Sequence, residues 1–213
     1  MKKAILVCCI QVLIVPGYFS LMAQTQSAAG VFQKSTPLTW LGVDYSDARY
    51  IGTLEVGASQ LDDYAKVIND LILREPKKYN LPSAFDKESV GSNLTYIEKA
   101  NAAMNTDKAL SSESGDMKRY TLETITDRVK SYKLNETGIG LVFIVEAMSK
   151  THEESPVWVT FVDMKSGTVL FSERVIGKPA GFGFRNYWAG AVYSTLKQIK
   201  GGLYNKWKKQ YAK

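Results

Sequence analysis

Cysteine is missing from nearly all of this chain. Cys8 and Cys9 are the only two, and both fall within the first nine of 213 residues. Past that point there is no thiolate nucleophile, no zinc knuckle and no disulfide framework. Histidine is almost as scarce: His152 stands alone, which excludes multi-histidine metal sites, and neither a metal nor any other cofactor is expected. No internal repeat of about 20–50 residues is visible, so a solenoid or propeller is not expected. Acidic residues also run out, because none follows Glu173. What remains is 45% hydrophobic and 23% charged, the proportions of an ordinary folded domain.

The first 23 residues place Lys2 and Lys3 before an apolar stretch that reaches Leu21, with Pro16 and Gly17 near its end and Ala23 before polar residues. That order is expected of an export signal cleaved after Ala23, although Leu21 is large for a position three before the cut. A lasting membrane span would need about 20 uninterrupted apolar residues, and no transmembrane segment is expected in the mature chain. Cys8 and Cys9 lie too early to carry a lipid, so a lipoprotein is not expected. The leader points to the periplasm of a Gram-negative cell or to secretion, where a chain without mature cysteine has no thiol to mispair.

Residues 24–37 are rich in Ser, Thr, Gln, Ala and Gly and read as a flexible lead-in; a single domain is expected over 38–213. TWLGVDYSDARYIG, from Thr39, reads as a strand broken at Ser46 and Asp47. Leu61, Tyr64, Val67, Ile68, Leu71 and Ile72 recur at steps of three and four, which predicts a helix over 60–74 capped by Ser59. Leu94, Ile97, Ala100 and Met104 suggest another helix face, and Leu122, Ile125, Val129 and Tyr132 a third. Beyond Gly138 the period becomes strand-like. IGLVFIVEAMSK reads as a buried strand, and PVWVTFVD and TVLFSERV form a hairpin about Ser166-Gly167, which together make a three-strand meander. A closing helix is expected to be capped by Asn186, to carry Trp188, Val192, Leu196 and Ile199, and to break at Gly201-Gly202 before a last basic turn. The fold class is α+β, with a mixed, mostly antiparallel sheet packed against amphipathic helices.

The block GLVFIVEAMSK, VWVTFVDMKSGTVLFSERV and the closing helix resembles the exported α/β modules of the TolB amino-terminal domain and of curli-secretion lipoproteins. There a strand leads into a hairpin that in this chain reads Asp163-Met-Lys-Ser-Gly167-Thr-Val169. The resemblance covers the last third of the chain and the first strand. It implies scaffolding in envelope assemblies and carries no catalytic residue onto this sequence.

Charge is the most unusual property. Residues 174–213 hold nine basic residues and no acid, whereas residues 24–173 hold 16 basic and 21 acidic ones. Two readings stay open. The tail is neutralised internally by Asp62, Asp63, Asp70 or Glu153-Glu154, or it faces an anionic partner such as a lipid surface, an envelope polymer or an acidic protein. On the second reading the binding residues are Lys178, Arg185, Lys197, Lys200, Lys206, Trp207, Lys208 and Lys209, and the protein is a non-enzymatic exported binding or scaffolding domain. Nucleic acid is not expected, since the exported chain has no recognisable module for it. Leu203, Trp207 and Tyr211 form an apolar edge that either lies on a membrane or docks onto the domain, docking being preferred for so short a segment.

The stretch Gly177–Asn186 suits a tight crossover with Phe182 and Phe184 plugging the core, or an anion cradle beside Lys178 and Arg185. Asp44, Asp47 and Glu55 read as polar breaks in a first strand, with an acid/base pair or calcium site as the alternative. Trp40, Trp158, Tyr187 and Trp188 read as core rather than sugar platforms. Competing with the binding domain are a small envelope hydrolase or ligand-binding enzyme, which predicts a pocket gathering Asp44, Glu146, His152 or Arg185, and a structural homo-oligomeric subunit.

Overall fold

In the computed structural model, which describes residues 26–53 and 55–212, the first strand, β1 (Leu38–Asp44), lies between β3 (Val90–Ser92) and β5 (Ile139–Val145) and is parallel to both. From β5 the sheet continues through two antiparallel strands, β7 (Ser155–Asp163) and β8 (Thr168–Gly177), so the expected meander is present within the order β3-β1-β5-β7-β8. β1 and β5 stop at the same level and resume as β2 (Arg49–Ile51) and β6 (Ala147–Ser149). These pair in parallel again and, with β4 (Leu110–Ser111), make a second three-stranded sheet. The run read as one strand is therefore two, divided at Glu146. The fold is α+β, and the export signal expected over residues 1–23 lies outside the described residues.

Helices cover both faces of the larger sheet. Leu141, Phe143 and Val145 point into a layer built with α1 (Ala28–Val31), α2 (Leu61–Arg74), α3 (Leu81–Ala84), α6 (Phe184–Gln198) and α7 (Tyr204–Tyr211). Val142 and Ile144 point the other way, toward Ile97 of α4 (Thr95–Ala102) and Ile125 and Val129 of α5 (Leu122–Ser131). With both faces buried, β5 needs apolar side chains at every position, which is why it lacks alternation.

The apolar stripes place the helices correctly, but several ends differ. Ser59 does not cap α2. It lies in a 3₁₀ turn, Ala58–Gln60, where Gln60 Oε1 accepts from the Gly57 amide at 3.0 Å. Leu122 is 58% exposed, so the buried stripe of α5 begins at Ile125. Asn186 lies inside α6, which starts after Gly183, and its Nδ2 donates back to the Phe182 carbonyl at 3.2 Å. The lead-in also needs correction. Val31 and Phe32 are buried, and the Phe32 ring stacks on Phe171 at 5.5 Å and lies 5.3 Å from Tyr204. Two apolar residues at an interval too short to show a period are enough to hold that segment against the core.

β3 pairs with β1 only as far as Trp40, which leaves the outer edge of β1 without a strand just where it approaches the break. Two buried asparagines replace it. Asn69 of α2 accepts from the Val43 amide at 2.7 Å and donates to the Val43 carbonyl at 2.9 Å. Asn101 of α4 accepts from the Tyr45 amide at 2.8 Å and donates to the same carbonyl at 3.0 Å. Asn69→Leu nearly keeps the side-chain volume but leaves the buried Val43 amide without a partner, the carbonyl keeping Asn101; chemical denaturation should show a loss of about 2 kcal/mol.

Candidate functional site

Seven of the eight residues expected to bind an anion are exposed: Lys178, Arg185, Lys197, Lys200, Lys206, Lys208 and Lys209. Trp207 is not a surface residue. It is 2% exposed, and its ring meets Phe171 edge-on at 6.4 Å. α7 therefore docks its apolar edge onto β8, and its lysines project from a helix that the core holds in place.

Lys197 and Lys200, on α6 and the turn after it, approach Lys77 and Lys78 from the segment following α2. With Lys178 they line two joined hollows of about 380 and 300 Å3 that share Lys78, Tyr193 and Lys197. Tyr193 is 36% exposed. The ammonium groups of Lys78 and Lys197 stand 5.8 and 5.7 Å from its ring centroid, so an aromatic floor carries cations on two sides.

The acids do little to neutralise this face. Asp70 pairs with Lys66 at 2.9 Å, and the Glu173 carboxylate accepts from the Tyr211 hydroxyl at 2.8 Å. Glu154 reaches Lys178 at 3.3 Å and Glu75 reaches Lys78 at 3.7 Å, both across exposed side chains where an ion pair is weak. Among the described residues, no carboxylate lies within ion-pair distance of Arg185, Lys197, Lys200, Lys206, Lys208 or Lys209. Arg174, like Lys178, does meet a carboxylate, but it belongs to a different structure.

That structure is a closed network of charge at the break between the two sheets, which the sequence reading missed. Four of the chain's six arginines meet four carboxylates there. Asp47 receives Arg119 at 3.0 Å, Arg128 at 3.1 Å and Arg49 at 3.4 Å. Asp116 receives Arg49 at 4.0 Å. Asp44, 1% exposed, accepts from the Tyr132 hydroxyl and the Ser46 hydroxyl, each at 2.5 Å. Glu146 is fully buried and accepts from Arg174 Nε at 2.8 Å, Trp158 Nε1 at 3.2 Å and the Tyr120 amide at 2.6 Å. Burial works to raise the Asp47 carboxyl, but the Arg119 hydrogen bond and the charges of Arg119 and Arg128 outweigh it and hold the group below the usual carboxylate range. Burial first, then the charge of Asp44, pushes the Tyr132 phenol well above its ordinary value, so it remains a donor.

Asp44 and Asp47 thus end β1 and neutralise arginines; Glu55 instead meets Lys150 at 3.2 Å. Of the four residues a catalytic pocket would gather, Asp44 and Glu146 lie at neighbouring strand ends with their oxygens already hydrogen-bonded. His152 is exposed on the loop after β6, and Arg185 is exposed on α6. The four are not brought together. A cavity of about 530 Å3 opens beside the network between Tyr96, Lys99, Arg128 and Lys133. Trp40, Trp158 and Trp188 are buried in the core, as read, and Tyr187 is half-buried with Lys150 Nζ 3.8 Å from its ring centroid.

The crossover after β8 holds its shape by close packing. At Gly190 a Cβ would collide with the Ala180 carbonyl, and the Ala180 amide donates to the Tyr187 carbonyl at 3.1 Å. Phe184 plugs the core against Tyr64 at 4.6 Å and Tyr50 at 5.8 Å. Phe182, expected to do the same, is 95% exposed.

Comparison with protein-family models, with curated proteins and with solved structures finds no match. Among the described residues, no helix is long and apolar enough to cross a membrane.

Glu146→Gln leaves the half-buried Arg174 without its counter-charge and puts an amide where the fully buried carboxylate accepted three hydrogen bonds, so a loss of about 2 kcal/mol is expected by denaturation. Asp47 supplies a pH test. Its folded pKa is depressed, so its contribution to stability is present above the unfolded value of about 4 and is lost as pH falls through the folded value. Asp47→Asn should lower the melting temperature at neutral pH and flatten its decline on acidification below about pH 4.

Proposed function

We propose that this chain is an exported, non-enzymatic binding domain that docks on an anionic component of the bacterial envelope through the basic face formed by its carboxyl-terminal segment. One observation carries the reading: the carboxylates buried at the sheet break are held by arginine and tyrosine, and the lysines of α6 and α7 keep their charge at the surface without a carboxylate partner among the described residues. The centre of the contact is the groove of Lys78, Lys178, Lys197 and Lys200 over Tyr193. Its joined hollows suit successive anionic groups held side by side, as on a polymer or a lipid surface. Lys206, Lys208 and Lys209 extend the field. The export signal and the envelope-module resemblance of the hairpin support the compartment.

Binding of this kind is screened by salt, with a range of about 10 Å at 0.1 M ionic strength. The purified mature protein should be retained by immobilised heparin and by phosphatidylglycerol vesicles at low salt and released as salt rises. Each cation near an anionic surface contributes about 1 kcal/mol, so Lys78→Glu, Lys197→Glu and Lys200→Glu combined should weaken vesicle binding by about a hundredfold or more. Lys206→Glu, Lys208→Glu and Lys209→Glu combined should weaken it less. All six side chains are exposed, so the melting temperature should hold. Unchanged binding of the groove variant at low salt contradicts the proposal.

A further inference from the structure

Two phenylalanines stand two residues apart, Phe182 in the loop between β8 and α6 and Phe184 at the first position of α6, and have opposite fates. Phe184 is 6% exposed and packed among Tyr50, Tyr64 and Trp188. Phe182 is 95% exposed, more than any other large apolar side chain described. Its exposure does not come from a loose loop. The crossover is held at Ala180 by its hydrogen bond to Tyr187 and its seat on Gly190, and past the tip by Asn186, which binds the Phe182 carbonyl. Gly181 has φ +132° and Gly183 has φ +75°, conformations that a side chain would strain, so glycine on each side lets the backbone turn sharply enough to hold the ring away from the domain. A stiff loop that uses two glycines to hold a phenylalanine in water has no evident value to the folded domain alone.

The surroundings of the ring say what it meets. Lys178 before it and Arg185 in the first turn of α6 flank it in sequence, both exposed, and Ala180 and Lys178 form one rim of the cationic groove. The carboxylate paired there is Glu154, on Lys178. Arg185 Nε reaches only the neighbouring Asn186 Oδ1, at 3.1 Å. A soluble polyanion would engage the cations and leave the ring in water. A bilayer with anionic headgroups satisfies both, because the ring enters the region below the phosphates while lysine and arginine stay at phosphate level.

We infer that the Gly181-Phe182-Gly183 tip is a membrane-insertion point, and that the anionic component recognised by the basic face is the surface of a phospholipid bilayer. This rests on the reading of that face as an anion-binding surface, and the two are separable by experiment.

Wild type, Phe182→Ala and the Lys78/Lys197/Lys200→Glu variant are compared for sedimentation with equimolar phosphatidylcholine–phosphatidylglycerol vesicles, for the same on pure phosphatidylcholine, and for the salt at which each leaves immobilised heparin. Phe182→Ala is expected to weaken binding to the anionic vesicles by about fivefold to tenfold and to leave heparin elution unchanged, whereas the charge variant loses both. Phe182→Trp adds a direct readout. The four native tryptophans are all buried, so emission from the new indole is the exposed, red-shifted component. It should move to the blue on the anionic vesicles and stay put with heparin. Equal vesicle binding by wild type and Phe182→Ala, or an unshifted emission from the introduced indole of Phe182→Trp on bound vesicles, overturns insertion while leaving the basic face intact. Retention on heparin with no vesicle binding by wild type does the same, and points to a polymer or protein partner instead. No binding to either matrix at low salt overturns both readings.

Discussion

The constraint on which the rest depends is the break that β1 and β5 share. Two parallel strands stop at the same level, and the chain must place Asp44, Asp47 and Glu146 there without leaving a charge uncompensated. It does so with arginine. The planar guanidinium can serve several acceptors at once, as Arg128 does for Ser46 and Asp47, and it loses less on dehydration than an ammonium. Asn69 and Asn101 close the backbone on the open side of the same break, so polar satisfaction from two helices and a charge network joins the two sheets. The lysines have no place in this arrangement. Those of the carboxyl-terminal segment stay at the surface, and the segregation of the four arginines paired at the break from these lysines turns a modest net charge into a strongly basic face.

That segregation explains how much the sequence could show. Elements that bury one stripe or both faces were legible: the stripe of α2, the unbroken apolar run of β5, the β7–β8 hairpin and the buried Trp188, Val192 and Leu196 of the closing helix all follow from period and composition. Elements decided by a few long-range contacts were not. α1 is held by Phe32 meeting Phe171 and Tyr204, partners far away in the chain. Ser59 and Asn186 carry capping side chains without capping, because the helix ends were set by packing.

The same division runs through the site. The run of bases without an acid was visible at once, and so were its members. Invisible were Lys77 and Lys78, which come from the far side of the groove, and the arginine–carboxylate network, whose members lie in five separate stretches of sequence. One signal pointed to it. Asp44 and Asp47 bracket a strand break, and a carboxylate expected to be buried needs a cation, so the few arginines in a lysine-rich chain are the natural match for the few buried acids. Trp207, named among the binding residues, is buried by the docking that the short apolar edge of the tail favoured, whereas Phe182 left the core in which the crossover reading placed it. The tryptophan went into the core because α7 had a sheet edge to pack on, and the phenylalanine went out because two glycines let the loop turn away.

The central claim, that the carboxyl-terminal lysines are free for an anionic surface, is tested most directly by amine-specific footprinting read by mass spectrometry, with and without anionic vesicles. Lys87 is an internal control. It is 6% exposed and its ammonium donates to the Gln33 carbonyl at 2.6 Å, so the reagent cannot reach it freely. The account predicts that Lys197, Lys200, Lys206, Lys208 and Lys209 react readily in the free protein while Lys87 lags, and that vesicles protect Lys197 and Lys200. Slow labelling of the tail lysines in the free protein, or labelling that the vesicles leave unchanged, would contradict it.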